Sequence, residues 1–150
     1  MQREQLKILL LQIRDDHKVR AEELESFARY SQLDVNQIDV LNVFDTPSFD
    51  SSVLEGYDAL YVGGASEANV LEPKIYPFVN DCISLIKFAG DTGIPTFASC
   101  FGFQLAVLAF GGEILSKDED YEMGSIPITL TNLATIDPVF SGTSDKFPAL

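Results

Sequence analysis

Short, almost continuous apolar runs alternate along this chain with segments whose apolar residues repeat at helical spacing. The apolar runs cover residues 7–13, 38–44, 59–62 and 96–98. The helical segments cover residues 18–31, 73–89 and 101–110. The run at 7–13 is apolar at nearly every position, which is typical of a strand buried on both faces of a sheet. The alternation therefore predicts an α/β fold with three layers, in which helices cover both faces of a mostly parallel sheet.

The C-terminal third of the chain departs from this alternation. Residues 113–115 are predicted to form a further strand, residues 117–122 a charged hairpin or loop, and residues 126–131 a strand. The tail at 137–150 is rich in Pro, Gly, Ser and Thr, and has few features of an element that closes a domain.

Length and charge limit the classes of protein to consider. The 150 residues fit one globular domain over residues 1–150, and 46% of them are hydrophobic, which is enough for a sizeable core. Ten basic against 23 acidic residues give a net charge of −13. Such a charge argues against nucleic acid as a partner and against docking on anionic lipid. No apolar run has the length of a membrane span.

The two cysteines, Cys82 and Cys100, are too few for a disulfide framework, and no set of zinc ligands accompanies them. We therefore expect a reducing cytoplasm and no metal. Cys82 lies on the apolar stripe of the 73–89 helix and is expected in the core. The acidic run at 118–120 is typical of a solvated loop.

Cys100 stands at a junction between a predicted strand and a predicted helix, with Ala98 two residues before it and Gly102 two residues after. This is the pattern of a nucleophile elbow, whose turn is so tight that both flanking positions must be small. The N-terminus of the following helix favours the thiolate, and the N–H of Phe101 would face a carbonyl oxygen under attack. The alternative from the residues alone is a buried cysteine at an ordinary turn.

The wider sequence resembles the class I, or triad-type, glutamine amidotransferases. Residues 95–105 read PTFASCFGFQL and are followed by Gly111 and Gly112. This string resembles the nucleophile motif of that family, and residues 61–66, YVGGAS, resemble its second block. Residues 122–124, EMG, resemble its Glu-x-Gly segment. The likeness extends over essentially the whole chain and is strongest to free-standing members similar to the glutaminase domain of GMP synthase.

The resemblance implies a flavodoxin-like fold and a glutaminase site that needs no cofactor. It implies Cys100 as the nucleophile, the N–H groups of Phe101 and Ser66 as the oxyanion hole, and Gly64 and Gln104 as groups that bind the substrate. The implied substrate is L-glutamine, and the ammonia acceptor would belong to a synthetase subunit or to another domain. The residues at positions 65, 66, 98 and 103 depart from the family's commonest choices.

The largest departure is the missing base. The family has a His, followed two residues later by Glu or Asp, near the C-terminal end of a longer domain. The one histidine here, His17, follows the first strand in a charged segment and is expected on the surface. We therefore expect a chain that is incomplete at its C-terminus or has lost its base, with weak or no glutaminase activity. Two alternatives are a cysteine hydrolase of the related stress-protein and protease branch, and a degenerate binding domain without enzymatic activity.

Overall fold

In a computed structural model of the protein, which describes residues 2–116, 125–144 and 146–149, the chain divides into two compact units. The first unit covers Met1–Ile114 and the second covers Leu115–Leu150. Among the described residues, none of the helices combines the length and the apolar content that crossing a bilayer requires.

The first unit is built on a sheet of four parallel strands. The strands are β1 (Ile8–Gln12), β2 (Ile38–Asn42), β3 (Ala59–Val62) and β4 (Thr96–Ala98), in the order β2-β1-β3-β4. The helices are α1 (His17–Ser31), α2 (Phe78–Thr92) and α3 (Phe101–Ala109). Short 3-10 turns at Arg3–Gln5, Val35–Gln37 and Ser51–Leu54 complete the unit.

Alternate residues of the buried strand β1 face different helices. Ile8 and Leu10 pack with Ala28 of α1 in one cluster. Leu9 and Leu11 belong to the larger cluster on the opposite face, to which α2 and α3 contribute Cys82, Leu85, Leu105 and others. The arrangement confirms the predicted fold class, because a parallel sheet lies between helices on both faces.

The parallel arrangement brings the carboxyl ends of all four strands to one edge of the sheet. Helix α1 begins there, and its N-cap Asp16 accepts hydrogen bonds from the N–H groups of Lys18 and Val19. The same edge holds Gly63 after β3 and Cys100 after β4. Ligands of open α/β sheets bind at this edge.

The second helix begins later than the sequence pattern predicts. The segment 73–89 was predicted as helical, but α2 covers Phe78–Thr92, and Ile75 is exposed rather than part of the core stripe. The reason is Pro77, which would lie inside the predicted helix, where proline removes a hydrogen bond and clashes with the preceding turn. In the structure Pro77 occupies the N-cap position of α2.

Two other predictions for the first unit are wrong. Residues 113–115 form no strand. The side chain of Ile114 packs against the core, and that of Leu115 is exposed. The segment 101–110 is apolar nearly all round, which predicts a helix buried on every side. Helix α3 is buried along one side only: Leu105 is inaccessible, whereas Phe103 is 62% exposed. Helix α3 packs on α2 and β4.

The second unit contains an antiparallel pair of strands. Strand β5 (Ile126–Thr129), within the predicted 126–131 run, pairs with β6 (Lys146–Ala149), and a 3-10 turn at Asn132–Thr135 lies between them. The tail therefore contributes a strand that its composition did not predict. The predicted 117–122 loop, the acidic run at 118–120 and the 122–124 segment lie outside the described residues.

Candidate functional site

Cys100 occupies a strained bend between β4 and α3. Its backbone has φ 51° and ψ −110°, and its side chain is exposed. Positive φ is unfavourable for a residue with a Cβ and costs on the order of 1–3 kcal/mol. Strain of this kind clusters at functional sites, where the surrounding structure holds it in place. The sequence prediction of a thiol presented on a tight turn agrees with this geometry.

Close contacts with the end of β3 fix the bend. The N–H of Gly102 donates to the carbonyl oxygens of Gly63 at 3.1 Å and of Ser99 at 2.8 Å. A Cβ on Gly102 would lie 2.8 Å from both the carbonyl oxygen and Cγ1 of Val62. No side chain fits at that distance, which is the physical reason for glycine two residues after the cysteine.

The Gly63-Gly64 turn lies directly beside the cysteine. A Cβ on Gly64 would stand 3.5 Å from Cβ of Cys100 and 2.8 Å from Nη2 of Arg14. A Cβ on Gly63 would meet both carboxylate oxygens of Glu23 at 2.7 Å. Both glycines therefore allow the backbone, the thiol and two charged side chains to converge.

The two predicted oxyanion donors differ in their present hydrogen bonding. The N–H of Phe101 donates to no acceptor within the described residues, as expected at the first position of a helix. The N–H of Ser66 donates to Oε2 of Glu67 at 3.3 Å, and the Ser66 hydroxyl accepts from Nη1 of Arg14 at 2.8 Å.

Gln104 lies about one turn into α3. It is half-buried, and its backbone N–H donates to the carbonyl oxygen of Cys100 at 3.2 Å. Of the predicted site residues, Cys100 and Gly64 line the main cleft of the first unit, whereas Gln104, Ser66 and Phe101 are not among its lining residues.

The cleft beside Cys100 has a volume of about 670 Å³ and two kinds of wall. One wall is polar and includes Arg14, Glu23 and Ser99. The other is aromatic and is formed by Phe27, Tyr61 and Phe97, whose rings contact one another with centroids 5.3–6.1 Å apart. An apolar cleft with a few convergent polar groups is the usual form of a small-molecule site.

Sequence reasoning missed Arg14 and Glu23. The guanidinium Nε of Arg14 donates to Oε1 of Glu23 at 3.0 Å, and that oxygen also accepts from the N–H of Gly64 at 3.2 Å. Arg14 follows the carboxyl end of β1, which is the one signal in the sequence that would have pointed to it.

The second cysteine and the histidine lie where the sequence placed them. Cys82 is fully buried in the core, and burial raises the pKa of its thiol, so it remains protonated and unreactive. His17 is exposed at the first position of α1 and is not among the residues that line the cleft. Within the described ranges, no three His, Cys, Asp or Glu side chains are grouped as metal ligands.

Comparison with known proteins identifies the family. The model of the family "Glutamine amidotransferase class-I" matches residues 29–150. The chain belongs to the class-I glutamine amidotransferases. The match covers more than half of the chain and includes both the glycine turn and the cysteine bend. The prediction of a single domain over residues 1–150 stays a prediction.

Individual relatives agree with this family. GMP synthase [glutamine-hydrolyzing] from two strains of Tropheryma whipplei, Twist and TW08/27, is 31% identical over 126 residues, which are 79% of this chain. The alignment covers 22% of those synthases, so the chain spans about a fifth of their length. A glutamine amidotransferase from Thermotoga maritima has the same fold, with a TM-score of 0.74 at 19% identity, over 97% of this chain and 59% of that one.

Proposed function

We propose that this chain performs the glutaminase half-reaction, with Cys100 as the nucleophile and L-glutamine as the substrate. The observation that carries the proposal is the exposed thiol on a positive-φ bend at the start of α3. Membership of the class-I family supports it, because the bend lies within residues 95–105, the string that resembles the family's nucleophile motif.

In the proposed reaction the Cys100 thiolate adds to the carbonyl carbon of the side-chain amide. The oxyanion that forms accepts hydrogen bonds from the N–H groups of Phe101 and Ser66. The intermediate collapses with cleavage of the C–N bond, the nitrogen takes up from solvent the proton that the thiol released on ionising, and ammonia leaves a glutamyl thioester. Water then hydrolyses the thioester to glutamate and restores the thiol.

The hydrogen bonding of the loop supports these roles. The N–H of Phe101 is available, since it has no acceptor in the described part of the chain. The N–H of Ser66 already binds a carboxylate oxygen, that of Glu67, which would swing aside for the oxyanion. Gly64 lets the substrate approach the thiol closely, and Gln104 is proposed to bind glutamine as its counterpart in the family does.

The relatives that are GMP synthases are named as glutamine-hydrolyzing, which favours glutamine as the substrate of this chain too. We place the ammonia acceptor in a synthetase subunit or in another domain. We also place the protein in the cytoplasm, because both cysteines are unpaired thiols.

Turnover by these 150 residues is proposed to be weak. A general base contributes typically about 10²–10⁴-fold, and the only histidine of the sequence, His17, lies outside the cleft. Sustained glutamine hydrolysis that is lost in Cys100→Ala would contradict this part of the proposal.

Alkylation by a diazo-ketone analogue of glutamine tests the site, with intact-protein mass spectrometry as the readout. We expect one adduct on the wild-type chain and on Cys82→Ala, none on Cys100→Ala, and slower labelling in the presence of glutamine. Reaction of Cys100 with general oxidants but not with the analogue would favour the stress-protein and protease branch. Equal, slow reaction of both cysteines with a simple thiol reagent would favour a binding domain without enzymatic activity.

A further inference from the structure

Arg14 lies beside the thiol, although neither its sequence context nor the resemblance assigns it a role. Its Nη2 and Cβ of Cys100 flank the same glycine, at 2.8 Å and 3.5 Å from the position that a Cβ would take on Gly64. Arg14 also lines the cleft that Cys100 opens into. A cation is therefore fixed within a side-chain length of the nucleophile.

Both the backbone and the side chain of Arg14 are held in place. Its carbonyl oxygen accepts from Nε of Arg20 at 2.8 Å and from Nδ2 of Asn42 at 2.9 Å. Its Nε donates to Glu23, whose side chain is only 10% exposed, and its Nη1 donates to Ser66. Such preorganisation lowers the entropic cost of binding a ligand.

The outer edge of the guanidinium remains available. Arginine has five N–H donors in a planar fork, and the contacts with Glu23 and Ser66 engage only Nε and Nη1. Nη2 donates to no acceptor among the residues that the structure describes. A planar fork with free donors matches a carboxylate better than any other common ligand group.

The second oxygen of Glu23 strengthens the case for a built site. Oε2 of Glu23 is inaccessible and has no hydrogen-bond partner within the described chain. An unpaired buried carboxylate oxygen destabilises the folded state. If the Arg14–Glu23 pair served only to stabilise the fold, it would leave this oxygen without a hydrogen bond. The cost is understandable where the carboxylate serves to aim Arg14 and the Gly64 loop toward a ligand.

We propose that Arg14 binds the α-carboxylate of the substrate and thereby positions the side-chain amide at Cys100. This inference rests on the proposed function. Three carbons separate the two groups in glutamine, which matches a cation and a nucleophile that both lie beside the same glycine. The apolar carbons of the substrate would contact the aromatic wall of Phe27, Tyr61 and Phe97.

The test compares two small alkylating reagents that differ in charge. Iodoacetate carries a carboxylate and iodoacetamide a neutral amide, so the ratio of their rates at Cys100 measures local recognition of a carboxylate. We expect Arg14→Gln to lower this ratio about 10-fold, with the iodoacetamide rate within about 2-fold of the wild type. Arg14→Lys keeps the charge but loses the planar fork, so its ratio should lie between that of the wild type and that of Arg14→Gln.

Arg3→Gln is the matched control, because it removes the same charge before β1, at the opposite edge of the sheet. It should leave the ratio within about 2-fold of the wild type. The proposal is overturned if Arg14→Gln folds and keeps the wild-type ratio. If Arg14→Gln does not fold, the same outcome for Arg14→Lys overturns the proposal. It is also overturned if Arg3→Gln lowers the ratio as much as Arg14→Gln.

Protection experiments separate this inference from the proposed function. Glutamine should protect Cys100 of the wild-type chain from iodoacetamide, and Arg14→Gln should need about 10-fold more glutamine for equal protection. 4-Aminobutanamide, which lacks the α-carboxylate, should protect both chains poorly and equally. If glutamine does not protect the wild type but the reagent ratio still depends on Arg14, then the glutaminase proposal fails while the carboxylate site stands.

Discussion

Replacing Gly102 by alanine tests the close contact that shapes the cysteine bend. The new Cβ would lie 2.8 Å from the carbonyl oxygen and Cγ1 of Val62, where ordinary contacts begin at 3.4 Å, so α3 has to retreat by about 0.6 Å or more. Val62 cannot yield, because it is fully buried in β3 and its carbonyl oxygen also accepts from Ser99.

Two effects of Gly102→Ala oppose each other. Overpacking costs roughly 1–3 kcal/mol, whereas alanine stabilises a helix relative to glycine by up to about 1 kcal/mol. Overpacking wins, so we expect the free energy of unfolding to fall by about 1–2 kcal/mol. For a chain of this size that lowers Tm by roughly 2–8 °C.

Thermal melting and the iodoacetamide rate at Cys100 measure the outcome. The rate should fall, because the displaced helix changes the bend that presents the thiol. Gly142→Ala is the control, since nothing lies within 4 Å of its Cβ position and its φ is not positive, and it should leave both quantities unchanged. A Gly102→Ala chain with wild-type Tm and wild-type reactivity would refute the steric argument.

Three further substitutions probe the frame around the site and a fourth serves as a control, each measured by urea denaturation. Glu23→Gln breaks a largely buried ion pair and should cost about 1–2 kcal/mol, whereas Glu22→Gln, in an exposed pair, should cost less than about 0.5 kcal/mol; equal effects would contradict the burial argument. Asp16→Ala removes the cap of α1 and should cost about 1 kcal/mol, and no loss would mean that the cap is not formed. Asn42→Ala removes a buried amide that bonds Gln12, the Arg14 carbonyl and the Phe44 N–H, and should cost about 2–3 kcal/mol; a loss below 0.5 kcal/mol would contradict this network.

Local patterns were sufficient to predict the frame of the fold. The runs at 7–13 and 38–44 contain β1 and β2. Only β1 is buried at every position, as its continuous apolar sequence indicates; β2 lies at the edge of the sheet and exposes Asp39 and Val40. The bend at Cys100 was also predictable, since the need for small residues around a tight turn is a local requirement. The apolar stripe alone predicts too early a start for α2, and Pro77 is the local signal that sets it later, because proline is unfavourable inside a helix.

The charged half of the site could not be predicted in this way. Arg14 and Glu23 are nine residues apart, and both meet Gly64, some 40 to 50 residues later, only because α1 packs over the sheet. No periodicity or sequence motif predicts this contact of Arg14 and Glu23 with Gly64. The exposure of Phe103 on α3 likewise depends on which elements surround the helix, and this is a property of the tertiary structure.

Acid-quench mass spectrometry after incubation with glutamine tests the central claim most directly, because a covalent intermediate can be seen even when turnover is slow. The account predicts a glutamyl adduct on the peptide that contains Cys100, absent in Cys100→Ala and absent when glutamate replaces glutamine. A wild-type chain whose Cys100 is readily alkylated by iodoacetamide, yet gains no glutamyl group after prolonged incubation with glutamine, would contradict it.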